Sequence, residues 1–143
     1  MIKAVVDTNV VVSGLLGVGS CREIYLRFKD NKFILITSNP LFEEFITVLG
    51  REKFKNLIAE EDSKKAIYFI QTKAIFINPQ QKVFNSKSDP KDNIVLEATL
   101  EAKPNCLVSG DKHILTFKPK YKGTPVLTAA EFIALLDKSK GEK

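Results

Sequence analysis

Ile2-Lys3-Ala4-Val5-Val6-Asp7-Thr8-Asn9 is the stretch that decides the fold. Ile2 to Val6 is a short apolar run interrupted only by Lys3, and Asp7-Thr8-Asn9 ends it with turn-forming residues. A strand covered on both faces has little need of polar alternation, so this is the pattern of a central parallel strand followed by a loop. Asp7, the first residue past the strand, is placed at the carboxyl edge of the sheet. The loop carries Gly14, Gly17 and Gly19, after which Ser20 can cap a helix to about Asp30.

The same grammar continues along the chain. Phe33 to Thr37 reads as a second strand, and Ser38-Asn39-Pro40 as a helix start, with Pro40 where its missing N–H costs nothing. A helix over 41–49 ends at Gly50, and 51–73 is helical and amphipathic with Lys-rich faces. Ala74 to Ile77 is a third strand stopped by Asn78-Pro79, and 79–90 is polar and loop-like. A helix over 91–102 precedes a strand at Cys106 to Val108, ended by Ser109-Gly110-Asp111. Thr124 to Leu127 is the last strand, and Thr128 caps a helix to about Asp137. Short apolar strands alternating with helices imply right-handed crossovers and a mainly parallel sheet covered on both faces. The expected architecture is a three-layer α/β/α sandwich, one domain over 1–137, with a Lys-rich tail at 138–143. Ligands of such sheets sit beyond the carboxyl ends of the strands, where strand order switches.

Composition agrees with an ordinary soluble fold. The chain has 143 residues, 44% of them apolar, with a mean hydropathy of −0.06, enough to bury about two-thirds of its surface without staples. Asp7 breaks the one N-terminal apolar stretch that could pass for a signal peptide, and no run is long enough to span a membrane. Cys21 and Cys106 are too few for a disulfide scaffold and have no zinc-site spacing, so they read as small buried hydrophobes in a reduced, cytoplasmic protein. The net charge of +5 and pI near 9.2 favour an acidic partner, nucleic acid foremost.

Within this basic chain, four carboxylates fall where chemistry is usually placed. Asp7 is compatible with an Asx-turn or cap as well as with a site. Asp111 repeats its arrangement after Cys106–Val108 and equally suits an N-cap of the segment 112–115. On the helix 41–49, Glu44 falls about 110° from the centre of the apolar stripe and Glu43 about 150°. Glu44 is therefore nearer the buried flank, though both suit a solvated face. Asp92 has a full local account, with Asp89 as N-cap, Pro90 at the first helical position and Asp92 at the third. That role leaves it free to face a cleft at the strand ends.

Gathered together, these four side chains would repel one another and need a compensating cation. All-oxygen ligation selects hard Mg²⁺ or Mn²⁺ over zinc, ions suited to phosphodiester hydrolysis. The surrounding Lys and Arg could hold the rest of a polyanion. Other chemistry is poorly supported. There is no GxGxxG or GxxxxGK[ST] motif, and His113, the one histidine, reads as a surface residue or phosphate contact. The Lys clusters at 51–55, 64–65 and 118–122 read as solvated faces.

Taken in order, Val5-Val6-Asp7-Thr8-Asn9-Val10, Ser38-Asn-Pro-Leu-Phe-Glu-Glu-Phe45, Asp89-Pro-Lys-Asp-Asn93 and Leu107-Val-Ser-Gly-Asp111 resemble the successive blocks of PIN-domain nucleases. Thr124-Pro-Val-Leu-Thr-Ala-Ala-Glu-Phe132 is similar to the closing strand and helix of a VapC-like toxin subgroup. The resemblance implies Mg²⁺- or Mn²⁺-dependent cleavage of single-stranded RNA by the toxin of a toxin–antitoxin pair. The implied partners are an RNA substrate, a small antitoxin protein and a second copy of the chain. It carries the four acidic positions onto Asp7, Glu44, Asp92 and Asp111, with Asn9 and Ser109 in support. Lys91 stands where the family often has a further Asp, and Glu43 beside Glu44 leaves the helical position open by one residue. A non-catalytic RNA-binding or assembly module on the same fold is the alternative. A phospho-accepting domain is disfavoured, because Asp7 has no second carboxylate beside it after the first strand.

Overall fold

The computed structural model describes residues 1–83 and 90–140, with the backbone alone for Pro90, Lys91 and Lys140. Among these residues, β1 (Lys3–Val6), β2 (Ile34–Ser38), β3 (Ile75–Ile77), β4 (Cys106–Val108), β5 (Lys120–Tyr121) and β6 (Thr124–Leu127) form a sheet in the order β3-β2-β1-β4-β6-β5. Every pairing is parallel except β5 against β6. The chain steps outward from β1 to β2 and β3, then returns to the other side of β1 as β4. Strand order therefore switches between β1 and β4, where Val6 pairs with Val108.

Side chains alternate across the strands and divide the interior in two. Ala4, Val6, Leu35, Cys106 and Val108 join one core, and Val5, Ile36, Leu107 and Val126 join the other. The first core is covered by α1 (Thr8–Leu15), α2 (Gly19–Lys29), most of α3 (Asn39–Leu49), α5 (Glu60–Lys73) and α8 (Ala129–Lys140). The second is covered by α6 (Pro90–Ala102) and α7 (Lys112–Leu115). Helices on both faces of a mostly parallel sheet make the expected three-layer α/β/α sandwich. Phe33 packs edge-on against Phe132 at 5.0 Å between centroids, and Arg27 bonds Asp137 at 2.6 Å, fastening α8 over the first layer.

Several junctions follow their local signals. Ser38 caps α3 by accepting from the Leu41 amide at 3.3 Å, with Pro40 in the first turn. Thr128 and Glu131 form a reciprocal capping box at α8: the Glu131 amide donates to Thr128 Oγ1 at 3.2 Å, and the Thr128 amide to Glu131 Oε1 at 2.8 Å.

Elsewhere the structure departs from expectation. The loop expected after β1 is helix α1. Three successive valines and a glycine are poor helix formers in isolation, but Val10, Val12 and Gly14 are all buried, Val10 and Gly14 on one side of the helix and Val12 on the opposite side. Gly14 lets α1 and α2 close on each other: a Cβ there would lie 2.7 Å from the Cys21 carbonyl oxygen. Gly17, at φ +84°, makes the turn between the two helices. Helix α2 is capped at Val18 without a side-chain bond, so Ser20 lies inside it and does not cap it.

The expected continuous helix over 51–73 is broken. α4 (Glu52–Lys55) and α5 are separated by a turn in which Ile58 is buried. β5 had no signal of its own, and it pairs through a two-residue turn at Lys122 and Gly123, both at positive φ. α8 continues past Asp137 to Lys140. Asp89, expected to cap α6, and the Lys91 side chain lie outside the described residues.

Candidate active site

At the carboxyl edge of the sheet a cavity of about 230 Å³ opens at the switch point. Its lining includes Asp7, Glu44, Asp92 and Asp111, together with Asn9, Val48, Arg51 and His113. The four carboxylates come from four separate segments: the end of β1, the middle of α3, the first turn of α6 and the loop between β4 and α7. Only the topology brings them together, since they are far apart in the chain.

Asp7 occupies the N-cap position of α1, where its carbonyl accepts from the Val10 amide at 3.0 Å, yet its side chain makes no capping hydrogen bond. Its Oδ2 instead accepts from Ser109 Oγ at 2.8 Å. The main chain holds the residue in place, with the Asp7 amide donating to the Val108 carbonyl at 2.9 Å. Ser109 is fully buried, and its Oγ also accepts from the Asp111 amide at 3.0 Å. One hydroxyl thus ties the carboxylate at the end of β1 to the loop after β4. Burial pushes the Asp7 carboxyl above its ordinary range, and the nearby charges of Asp111 and Asp92 push it further, against the lowering effect of the Ser109 and Thr8 hydrogen bonds.

Asp111 fulfils its local role and also faces the cavity. Its Oδ1 accepts from the His113 amide at 2.8 Å and caps α7. Asp92 is only 5% exposed. Glu44 is half-buried and accepts from Thr8 Oγ1 at 3.3 Å, whereas Glu43 is exposed and does not line the cavity. Asn9, in the first turn of α1, is exposed at the cavity wall.

The remaining candidates separate cleanly. Cys106 is fully buried in β4, and burial pushes its thiol up to about 12, far from a reactive thiolate. On α5, Lys64 and Lys65 pair with Glu60 and Glu61 at 3.3 and 3.2 Å on an exposed face. Of the cluster at 51–55, expected to be a solvated face, Arg51 lines the cavity. It follows the end of α3 inside a Lys-rich segment, and no local pattern separates it from solvated neighbours.

The donor set suits a hard divalent cation. It is all oxygen, strongly negative, and contains a carboxyl already strained by like charges, which a cation would relieve. The four side chains ring the cavity without converging: among the described residues, no three His, Cys, Asp or Glu stand in an arrangement that holds an ion.

The chain belongs to the PIN domain family, whose model matches residues 3–113. The match runs from β1 to α7 and contains all four cavity carboxylates. PIN domains are typically nucleases and generally use divalent metal ions, so membership carries a nuclease- or RNA-related function. No individual curated protein matches the chain. Among the described residues no helix is long and apolar enough to cross a membrane.

Proposed function

We propose that this protein is a metal-dependent endoribonuclease that hydrolyses phosphodiester bonds of single-stranded RNA. The observation that carries the reading is that Asp7, Glu44, Asp92 and Asp111, from four separate segments, line one cavity at the strand-order switch. These four residues would hold Mg²⁺ or Mn²⁺. A bound cation of this kind readies a water for attack at phosphorus and offsets charge on the leaving oxygen.

The chain's own contribution is placement. The Ser109 hydroxyl fixes one oxygen of Asp7, and the main-chain bond from Asp7 to Val108 fixes its distance from β4. Thr8 steadies Glu44 from the adjacent turn of α1, and Asn9 offers an amide at the wall for substrate or water. No side chain of the cavity need act as a nucleophile.

The finer reading is the toxin of a toxin–antitoxin pair, acting in the cytoplasm as a homodimer and restrained by a small antitoxin protein. It is supported by the likeness of Thr124–Phe132 to the closing strand and helix of the VapC-like subgroup. Purified protein should cleave single-stranded RNA with Mg²⁺ or Mn²⁺, lose that activity in EDTA, and lose it in Asp7→Asn. Cleavage that survives both EDTA and the substitution would sink the proposal. RNA binding that is indifferent to cation, with no turnover, would instead identify a non-catalytic module.

A further inference from the structure

We infer that Arg51 grips the RNA strand at this cavity, its guanidinium holding a phosphate adjacent to the scissile one. The inference rests on the reading of the cavity as an RNA site. Among the described residues Arg51 is the one permanent cation that lines the cavity. Four carboxylates line the same walls, yet among the described residues Arg51 enters no ion pair. A guanidinium serving as their counter-ion would be paired with at least one of them. Arg51 is instead exposed, with its charge available to a ligand.

Its backbone is held firmly. The Arg51 amide donates to the Val48 carbonyl at 3.1 Å, and its own carbonyl accepts from the Phe54 and Lys55 amides at 2.9 and 3.0 Å. Phe54 packs against the first core, and Ile58 is buried one turn further on. The side chain therefore projects from a fixed point just beyond α3, the helix that carries Glu44. Lys53 and Lys55, which follow it, are exposed and lie outside the cavity lining.

The chemistry fits one ligand class. A planar fork of N–H donors matches phosphate oxygens, and a charge fixed at every physiological pH does not depend on the state of the carboxylates. Cavity carboxylates holding a cation would take the scissile phosphate, and Arg51 would take its neighbour on the strand. Contacts of this kind position the backbone without reading bases.

Arg51→Ala and Arg51→Lys test the assignment, using a short fluorescent single-stranded RNA. Binding is measured in EDTA across a salt series, cleavage kinetics in Mg²⁺, cation affinity by titration with Mn²⁺ alone, and folding by thermal melting. Arg51→Ala should raise Kd and KM about tenfold. It should also flatten the salt dependence of binding by about 0.7, the slope of one lost phosphate contact on a single strand. Arg51→Lys should restore part of the affinity and the full slope. Loss confined to melting temperature or Mn²⁺ affinity, with KM and salt slope unchanged, would overturn the inference and make Arg51 a counter-ion. Wild-type protein that binds RNA without cleaving it would overturn the nuclease reading, leaving the binding arm to decide Arg51. Wild-type protein that binds no RNA would overturn both.

Discussion

Asp7 and Glu131 both stand where a strand of the sheet hands over to a helix, and the fold treats them in opposite ways. Glu131 is exposed at the start of α8, where the Lys118 ammonium at 2.5 Å and the Thr128 amide pull its carboxyl down to about 2. Asp7 is buried at the end of β1, where burial and the charges of Asp111 and Asp92 push its carboxyl up. One acid has the partners a structural carboxylate needs. The other is buried and kept among like charges, a cost that its Ser109 and Thr8 hydrogen bonds offset only in part.

The comparison can be broken most sharply at Asp7. Asp7→Asn keeps an oxygen for Ser109 but removes the charge, and it should reduce cleavage by at least about 10²-fold, measured as kcat/KM on single-stranded RNA. Stability should move the other way. A carboxyl raised in the folded state carries a penalty present above its folded pKa and relieved as pH falls through it. Asp7→Asn should therefore be as stable as wild type or more so at neutral pH, with the gap closing toward acid in thermal melts. Marked destabilisation at neutral pH would make Asp7 a structural residue like Glu131.

A smaller effect is expected at Ser109. Ser109→Ala removes the hydroxyl that joins Asp7 to the Asp111 amide, and Mn²⁺ titration should show affinity falling about 10- to 100-fold. An unchanged affinity would mean that this bond only seals the sheet edge.

Asp111 belongs to both sides of the contrast, because it caps α7 and also lines the cavity. Asn caps nearly as well as Asp, so Asp111→Asn should hold its melting temperature while losing cleavage, and Asp111→Ala should lose about 1 kcal/mol more in denaturant unfolding. The smallest effect falls on Glu131. Its carboxyl is lowered in the folded state, so its contribution is complete above the usual glutamate range and disappears as pH falls toward about 2. Glu131→Gln should cost about 1 kcal/mol or less near neutral pH, given solvent screening, with the difference fading in acid and cleavage unaffected.

The strand ends were readable because a buried parallel strand is written locally, as an apolar run closed by turn residues. Ile2–Val6 and Cys106–Val108 both end in such turns, and the order of elements then brings Asp7 and Asp111 to one edge. Glu44 over Glu43 was legible as an angle on a helix, and the structure puts Glu44 at the cavity. Where tertiary packing outweighed local preference, the pattern misled. Val10 and Val12 form a helix because the first core buries them, and Gly14 reads as a loop residue until Cys21 is seen against it. The break between α4 and α5 depends on Ile58 finding the core. Arg51 was hidden for a related reason: its neighbours in sequence are solvated lysines, and only the folded cavity sets it beside the carboxylates.

A crystal soaked in Mn²⁺ and measured at the manganese absorption edge tests the central claim most directly. The account predicts anomalous density inside the cavity, within coordination distance of Asp7 and at least one of Glu44, Asp92 and Asp111, and its disappearance in Asp7→Asn. An empty cavity in crystals of protein that still cleaves RNA in Mn²⁺ would contradict it.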